Sequence, residues 1–433
     1  MPYKHLIRTL VGTEKIVVET TVTEPKTGAN IIIAHLPRKE QHKCGICCKK
    51  CLPYDRGRGK RRWRCPDVGA NMAYIEAESP RVCCPEHGVV TAAVPWARHH
   101  SRFCKNFEDT VTWLAVHSSK KAVAELMRIE WHTVGEICSR VYRELEKAAP
   151  SRFDGLVNIG IDETSYKKGH KYMTVVINHD TASVIWCQIG CGEEVLAGFF
   201  KQLTEEQRAC IRCVSADGAR WIAACIGKYC PNAERCVDPF HVVSWATEAL
   251  DEERRKVWSE LNREAKNAPK REKGRPAKDE KVNPEKEKAK SVKRIRYALL
   301  KNPEDLTENQ QSQLEFLTNA NPKLYRAYLL KENLRLALKA GANEIEKTLL
   351  KWMAWAQRCR IPGFRELRKK IQRNFTAIVA ATTHRLSNAR MEATNNKIKL
   401  GIRTAFGFRN TCNLLDMVML TCSAIHPALP GRT

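Results

Sequence analysis

One short segment, residues 158–177 (NIGIDETSYKKGHKYMTVVI), constrains the fold of this chain more than any other. Apolar and β-branched residues flank a basic turn, a pattern that predicts two buried strands joined as a hairpin. Asp162 follows the first apolar run, where the predicted strand leaves the core. We therefore expect its carboxylate to face solvent from a fixed backbone, which makes it a candidate metal ligand.

The charge of the chain narrows the class of partner. Its 433 residues carry a formal net charge of +26 at pH 7. A surplus of this size favours a polyanionic partner, with nucleic acid ahead of an anionic membrane. The sequence has no apolar run long enough to cross a membrane, and its first residues lack the apolar core of a signal peptide. We expect a cytoplasmic, nucleoid-associated protein with no membrane partner.

The order of predicted elements around Asp162 indicates the fold class. Three strands, a helix, a fourth strand, a helix and a fifth strand follow one another within residues 151–250. This order is typical of a ribonuclease H-like core, in which the first and fourth strands are neighbours. Asp217 directly follows the fourth strand, so we expect it at a strand end close to Asp162.

Changes in composition along the chain predict its domain organisation. We expect a multidomain α/β protein in which a zinc-binding module and a helix-turn-helix domain precede a ribonuclease H-like catalytic core with a helical insertion. The predicted parts are a strand-rich segment at 1–40, the zinc-binding module at 41–100, the helix-turn-helix domain at 101–150, the first part of the core at 151–250, a basic, mostly helical insertion at 251–384, and the last part of the core at 385–433.

Cysteines are concentrated in and just after the predicted zinc-binding module, since eight of the nineteen lie from Cys44 to Cys104. A cytoplasmic location argues against disulfides. A CxxC motif and a CxxH motif supply four residues with the spacing of Zn²⁺ ligands: Cys44, Cys47, Cys84 and His87. A metal-free loop is the alternative, but residues 41–70 hold too few apolar residues to fold unaided. Four more cysteines could replace a ligand or form a second site: Cys48, Cys51, Cys65 and Cys83.

A basic run with an embedded tryptophan lies between the two cysteine motifs. Such a run is suited to phosphate contact and base stacking. A solvated loop is the alternative interpretation. The residues that we expect to contact DNA here are Arg58, Lys60, Arg61, Arg62 and Arg64.

Three helices are predicted over residues 108–117, 120–127 and 132–145. The last two, joined by a short break, are typical of a helix-turn-helix motif, although a plain helical linker would have a similar pattern. The final helix would be the recognition helix, and we expect it to expose Thr133, Arg140 and Arg143 to DNA.

A third carboxylate, Glu392, lies on a predicted helix that Ser387 and Asn388 can cap. Asn396 and Lys399 share its helical face by their i, i+4, i+7 spacing. We expect Lys399 to contact phosphate, as we do Arg403 beyond it.

Three carboxylates from two strand ends and one helix can converge at one edge of the sheet. Asp162, Asp217 and Glu392 would then hold Mg²⁺ (or Mn²⁺), the arrangement that two-metal phosphodiester chemistry needs. We expect three further residues to lie next to these ligands: Asp238, His241 and Asn396.

Several blocks of the sequence resemble the ISL-three family of bacterial insertion-sequence transposases. They are CGIC, RVCCPEHGVV, VPWARHHSRF, IGIDETSYKKGHKY, SADG, VDPFHVV, SNARMEATNNKIK and AFGFRN, and they extend from about residue 44 to residue 410. The resemblance implies a DDE transposase whose triad is Asp162, Asp217 and Glu392. The second cysteine motif of the family is usually CPxCG, and here His87 takes the place of its last cysteine.

The function implied by this resemblance is DNA transposition. The chain would bind terminal inverted repeats, cleave the strand at the end of the element and join it to target DNA, as a homodimer or larger assembly on DNA. Two alternatives stay open: a zinc-dependent DNA-binding regulator with an inactive nuclease fold, and a structure-specific nuclease.

Overall fold

The computed structural model describes residues 2–267, 284–384 and 389–432. The chain forms two compact units, one of Met1–Arg152 with Lys397–Thr433 and one of Phe153–Asn396. The predicted last domain, residues 385–433, is therefore divided between the two units.

Strands dominate the start of the first unit. They follow a helix that the sequence analysis did not predict, α1 (Pro2–Val11). The strands are β1 (Val17–Thr23), β2 (Asn30–His35), β3 (Leu52–Asp55), β4 (Lys60–Val68), β5 (Asn71–Glu78), β6 (Arg81–Cys84) and β7 (Gly88–Thr91), with a short 3₁₀ turn at Arg38–Glu40.

Two sheets organise these strands, one in the order β1-β2-β5-β4 and one in the order β3-β6-β7. The antiparallel pair β1–β2 confirms the predicted strands of residues 1–40. Strand β2 also pairs in parallel with β5, so residues 1–40 and 41–100 share one sheet. The predicted boundary at residue 40 therefore does not separate two folded parts.

Three helices follow, α2 (Lys105–His117), α3 (Lys120–Met127) and α4 (Trp131–Ala148), as the sequence predicts. The Ser119 side chain caps α3 by accepting a hydrogen bond from the Ala122 amide at 3.2 Å. Arg128 ends α3 in the left-handed conformation, with φ of 52°. The chain can thus turn sharply into α4.

A buried ion cluster connects α2 and α4 and is centred on Glu108 of α2, which is fully buried. Arg98 donates to Glu108, Asp109 and Glu144 over 2.7–3.1 Å. Glu108 accepts a further hydrogen bond from Arg140 at 2.8 Å. Because Arg98 belongs to the loop before α2, the cluster fixes that loop to α2 and α4.

The second unit begins with a mixed sheet and its covering helices. These elements are β8 (Asn158–Lys167), β9 (Lys171–Asn178), β10 (Ser183–Ile189), α5 (Glu193–Phe200), α6 (Glu205–Cys210), β11 (Cys213–Ala216), α7 (Arg220–Tyr229) and β12 (Glu234–Val237). The strand order is β10-β9-β8-β11-β12, with β9 and β10 antiparallel and β11 and β12 parallel to their neighbours. The predicted adjacency of the first and fourth strands is confirmed.

The position predicted for Asp162 at a strand end is wrong. Strand β8 continues to Lys167, so Asp162 lies at its middle. The antiparallel hairpin with β9 pairs as far as Lys167 and Lys171, whereas the parallel pairing with β11 reaches only Gly160. The part of β8 beyond Gly160 is held by its hairpin partner.

Helices make up the rest of the second unit, which confirms the predicted helical character of residues 251–384. They are α8 (Pro239–Asn267), α9 (Pro284–Arg294), α10 (Arg296–Leu300), α11 (Glu308–Ala320), α12 (Pro322–Leu338), α13 (Ile345–Arg358), α14 (Pro362–Arg373) and α15 (Phe375–Thr383), with a 3₁₀ turn at Pro303–Asp305. Residues 268–283 of the basic tract lie outside the described residues.

Two last helices complete the chain, α16 (Ala389–Thr404) and α17 (Thr411–Cys422). The boundary between the two units falls within α16. The predicted capping residues of α16, Ser387 and Asn388, lie outside the described residues. No helix in the described part of the chain has the length and apolarity needed to cross a membrane.

The ion cluster predicts a large effect of Arg98→Met on stability. The substitution keeps most of the aliphatic volume but removes the charged hydrogen bonds to three carboxylates, of which Glu108 is fully buried. We expect the free energy of unfolding to fall by about 3–5 kcal/mol. Urea denaturation followed by tryptophan fluorescence measures this change. Arg81→Ala, which breaks an exposed pair with Asp55, is the control and should leave the midpoint nearly unchanged.

Candidate metal centres and nucleic-acid interface

The four predicted zinc ligands come together in the first unit. Cys44 and Cys47 lie in the turn before β3, and Cys84 and His87 lie at the turn between β6 and β7. Their ligand atoms all lie within 4.8 Å of one another. Cys47 Sγ is 3.8 Å from Cys84 Sγ, and His87 Nδ1 is 3.5 Å from Cys84 Sγ.

The chemistry of this group suits Zn²⁺. Three sulfurs and one imidazole nitrogen form a closed tetrahedral donor set of the structural type. The hydrogen bond with His87 lowers the pKa of Cys84 to about 6, against the opposing effect of burial, so this thiol ionises readily. Gly88 has φ of 66°, and this left-handed conformation turns the chain directly after His87. Within the described residues, this is the one such group of His, Cys, Asp or Glu.

The other cysteines of the module do not join this cluster. Cys83 is exposed on β6, on the opposite face of the strand from buried Cys84. Cys48 is exposed. Cys65 is buried. Its hydrogen bond with Cys104 raises the pKa of Cys65, and burial of the thiol raises it further. Cys51 lies near the cluster, but its Sγ donates to the Lys49 carbonyl at 3.3 Å.

Strand register places three aspartates of the second unit side by side, on or directly after neighbouring strands. Ser215 of β11 pairs with Gly160 of β8, and Ala216 pairs with Val237 of β12. Because these strands run parallel, the residues that follow come level as well. Asp217 is therefore aligned with Asp162 on one side and with Asp238 on the other.

Asp162 lies in a partly buried and polar environment. Its two oxygens accept hydrogen bonds from the Glu163 amide at 2.8 Å and from Asn395 Nδ2 at 2.7 Å. Burial raises the pKa of Asp162, and the negative charge of Asp217 adds to the rise. The hydrogen bond from the Glu163 amide, the charge of His241 and the hydrogen bond from Asn395 lower that pKa in part. A cation between the carboxylates would relieve this repulsion.

Helix α16 approaches the aspartates through Asn395. Asn395 is buried, whereas the predicted neighbour, Asn396, is exposed. Glu392 lies one helical turn before Asn395 and is exposed in the first turn of α16. Arg390 anchors this turn by donating to the His179 carbonyl. The three predicted carboxylates thus belong to neighbouring elements, but within the described residues they do not form a compact ligand group.

Two acidic residues near Asp162 have different surroundings. Glu163 accepts a hydrogen bond from the Gly192 amide at 3.1 Å. Burial raises the pKa of Glu163, and the charges of Asp217 and Asp162 raise it further. This fourth carboxylate could not be identified from the sequence, since alternation along a strand predicts that it points away. Asp238 is buried and accepts from the Phe240 amide at 3.0 Å, at the start of α8.

The basic run between the cysteine motifs divides into exposed and buried residues. Arg58 is exposed. Lys60 and Arg62 are exposed and pair with Glu76. Arg61 donates to the Ser101 carbonyl at 2.7 Å. Arg64 is only 6% exposed, because its guanidinium packs over the rings of Tyr74 and Phe107, so its predicted DNA contact is replaced by a structural role.

Helix α4 also differs in part from its predicted surface. Thr133 is buried at 7% exposure, which contradicts its predicted exposure. Arg140 is half-buried by its ion pair with Glu108. Arg143 is exposed as predicted, as is Arg403 on α16, and Lys399 is half-buried.

A cleft of about 960 Å³ in the first unit extends from the turn that holds Cys44 and Cys47 to helix α4. It contains residues that the sequence analysis did not select. His99 packs so closely over Gly45 that a Cβ there would lie 2.3 Å from the His99 ring. Its Nε2 is buried with no hydrogen-bond partner in the described structure. The basic residues along the cleft are Lys15, Lys43, Arg61, Arg98, Lys105, Arg140, Arg143 and Lys147.

A helix-turn-helix and a Cys/His cluster in the first unit, with carboxylates at a parallel sheet edge in the second, are typical of a DNA-processing protein. Comparison with known families supports this class. The family model for ISL3-type DDE transposases, described as "Transposase", matches residues 159–418. The model described as "Helix-turn-helix domain of transposase family ISL3" matches residues 92–142.

Curated relatives extend this similarity over the whole chain. A transposase for insertion sequence element IS1557 from Mycobacterium tuberculosis is 48% identical over 433 residues, 99% of this chain and 97% of the relative. A transposase for insertion sequence element IS1001 from Bordetella parapertussis is 24% identical over 411 residues, 94% of this chain and 95% of the relative. The chain belongs to the ISL3 family of transposases.

The Cys/His cluster predicts a bound zinc ion that depends on Cys84. We expect protein purified without chelator to contain zinc, and Cys84→Ser to lose it, because the substitution removes one thiolate from the donor set. Cys83→Ser is the matched control, since the adjacent thiol lies on the other face of β6. Metal analysis by mass spectrometry measures the zinc content. Equal loss in both variants would contradict the assigned ligand set.

Proposed function

We propose that the chain cleaves and joins DNA strands at the ends of an insertion sequence by a DDE mechanism. In this proposal, Asp162, Asp217 and Glu392 are the catalytic carboxylates. The observation that carries it is the alignment of Asp162 with Asp217, together with the hydrogen bond from Asn395 that brings the Glu392 helix to the same place. The similarity to DDE transposases supports the same assignment.

The strand order supports a ribonuclease H-like core. An antiparallel set of three strands, β8 to β10, continues into the parallel strands β11 and β12. The carboxyl ends of parallel strands share one edge, where ligands commonly bind. We infer that this edge is the active site, with the helices after β12 as an insertion before α16.

The carboxylates would hold Mg²⁺ or Mn²⁺, since hard oxygen donors are the ligands these ions prefer. When bound, such ions activate the attacking oxygen and stabilise the leaving oxygen of a phosphodiester. The chain itself contributes orientation. Asn395 fixes one oxygen of Asp162, the Glu163 amide fixes the other, and the charge of His241 favours the ionised carboxylate.

The first unit would bind the DNA substrate. We infer that α3 and α4 bind the terminal inverted repeats, with Arg143 as an exposed contact and the basic cleft as a path for the phosphate backbone. The relatives, named as transposases for insertion sequences, support such a substrate. Joining two ends to target DNA would require at least a dimer on DNA, acting in the cytoplasm at the nucleoid.

Replacing a catalytic carboxylate tests the proposal. Asp162→Asn and Glu392→Gln should reduce Mg²⁺-dependent cleavage of DNA containing the element's end to background, because each removes a charge from the metal-binding group. Binding of the same DNA should persist. Glu315→Gln, an exposed substitution on α11, is the matched control and should cleave normally. Gel analysis of end-labelled duplexes measures both properties.

The results also separate the alternatives. Unchanged cleavage by the Asp162 or Glu392 variants would contradict the DDE assignment. If the unmutated chain binds but never cleaves, the zinc-dependent regulator with an inactive nuclease fold is favoured. Cleavage that ignores the repeat sequence would instead indicate a structure-specific nuclease.

Asn395 has a separate expected role as a positioning residue. Asn395→Ala should slow cleavage about 10–100-fold, the usual effect of losing a partner that orients a metal ligand. The Mg²⁺ concentration for half-maximal rate should rise, because Asp162 is no longer held. Asn396→Ala, the exposed neighbour, should change neither value. A rate loss in both variants without a shift in Mg²⁺ dependence would point to a structural effect on α16.

A further inference from the structure

The C-terminal end of α16 has an unusual residue at its cap. The Gly407 amide donates to the Ile402 carbonyl at 2.9 Å, and the Phe406 amide donates to the Arg403 carbonyl at 3.0 Å. These two bonds form a Schellman motif, in which one residue must adopt the left-handed conformation. Here that residue is Phe406, with φ of 55°.

This position normally favours glycine, because a side chain is strained in the left-handed region. Phe406 adopts this strained conformation. Its side chain is also 88% exposed, the highest value among the large exposed apolar residues in the described chain. The side chain therefore contributes little to the core of its own unit. Non-glycine residues held in the left-handed region are concentrated at functional sites, so the strain together with the exposure points to a functional contact of this ring.

Residues that follow Phe406 closely in the chain make cation–aromatic contacts within the first unit. Arg409 stacks over the ring of Trp131 at 5.6 Å, and Lys120 lies over Phe408 at 4.4 Å. Trp131 begins α4 and is 51% exposed. From residue 393 to residue 415 the sequence has two lysines and two arginines but no acidic residue.

We propose that Phe406 stacks on a DNA base, as a wedge in an opened step or as a platform for an unpaired base. This inference rests on the proposed DNA-processing function and adds one base-contacting residue to it. Aromatic rings stack on bases of any sequence, and flanking cations bind the adjacent phosphates. The absence of acidic residues from 393–415 favours this polyanion over a second copy of this basic chain as the partner.

Phe406→Gly tests this inference without endangering the fold, since glycine suits the left-handed position. We expect an unchanged or higher thermal midpoint and about five- to hundredfold weaker binding to a duplex with one unpaired 2-aminopurine, the range for loss of a base–aromatic stack. Wild-type protein should quench the 2-aminopurine fluorescence, Phe406→Gly should not, and Phe406→Trp should restore quenching. Leu400→Ala, also exposed on α16, is the control and should behave as wild type.

Three other outcomes would overturn either the stacking role of Phe406 or the proposed DNA function. If Phe406→Gly binds and quenches as wild type does, the stacking role is overturned while the proposed DNA function stands. If the glycine variant changes the oligomeric state in light scattering and leaves quenching intact, Phe406 contacts a second copy, and the inference is equally overturned. If the wild-type chain binds no DNA, the proposed function itself fails, which the duplex-binding step detects before any fluorescence is read.

Discussion

Parallel pairing of β8, β11 and β12 is the constraint on which the candidate active site depends. Pairing of Ser215 with Gly160, and of Ala216 with Val237, leaves no freedom in the positions of the next residues. A shift of one residue would move every side chain of a strand to the other face of the sheet. The alignment of Asp162 with Asp217 is thus a consequence of backbone hydrogen bonds deep in the core, where side chains such as Ile159 and Val214 are fully buried.

Polar interactions supplement the hydrophobic core of the first unit, in which side chains such as Trp63, Ile75 and Phe107 are buried. The turns that hold Cys44 and Cys84 have little apolar content, and a bound metal would supply the cross-link that they lack. Glu108 is buried yet fully engaged by Arg98, Arg140 and Ser101, so the loop before α2 is fixed by charge and hydrogen bonding. Several arginines in this basic protein therefore stabilise the fold, and only a part of the positive charge is available to DNA.

Local patterns were sufficient for much of the architecture. Helices α2 to α4 and the five strands of the second unit follow from periodicity and caps, which depend on residues near in sequence. The Cys44–Cys47 and Cys84–His87 motifs follow from spacing. Periodicity could not show that Arg64 and Thr133 are buried, because burial depends on tertiary packing, as in the contact of Arg64 with Phe107, which lies far away in the sequence. It also could not distinguish Asn395 from Asn396, which differ by about 100° around the helix.

The sequence by itself determined the family, most of the element types and the chemistry of the candidate ligands, since each depends on residue types at short spacing. Only the tertiary structure decided which side chains meet at the carboxylate site. The hairpin with β9 places Asp162 at mid-strand, 233 residues before the asparagine that binds it. Such a contact depends on strand register and helix placement, and both result from packing of the whole unit rather than from any single segment.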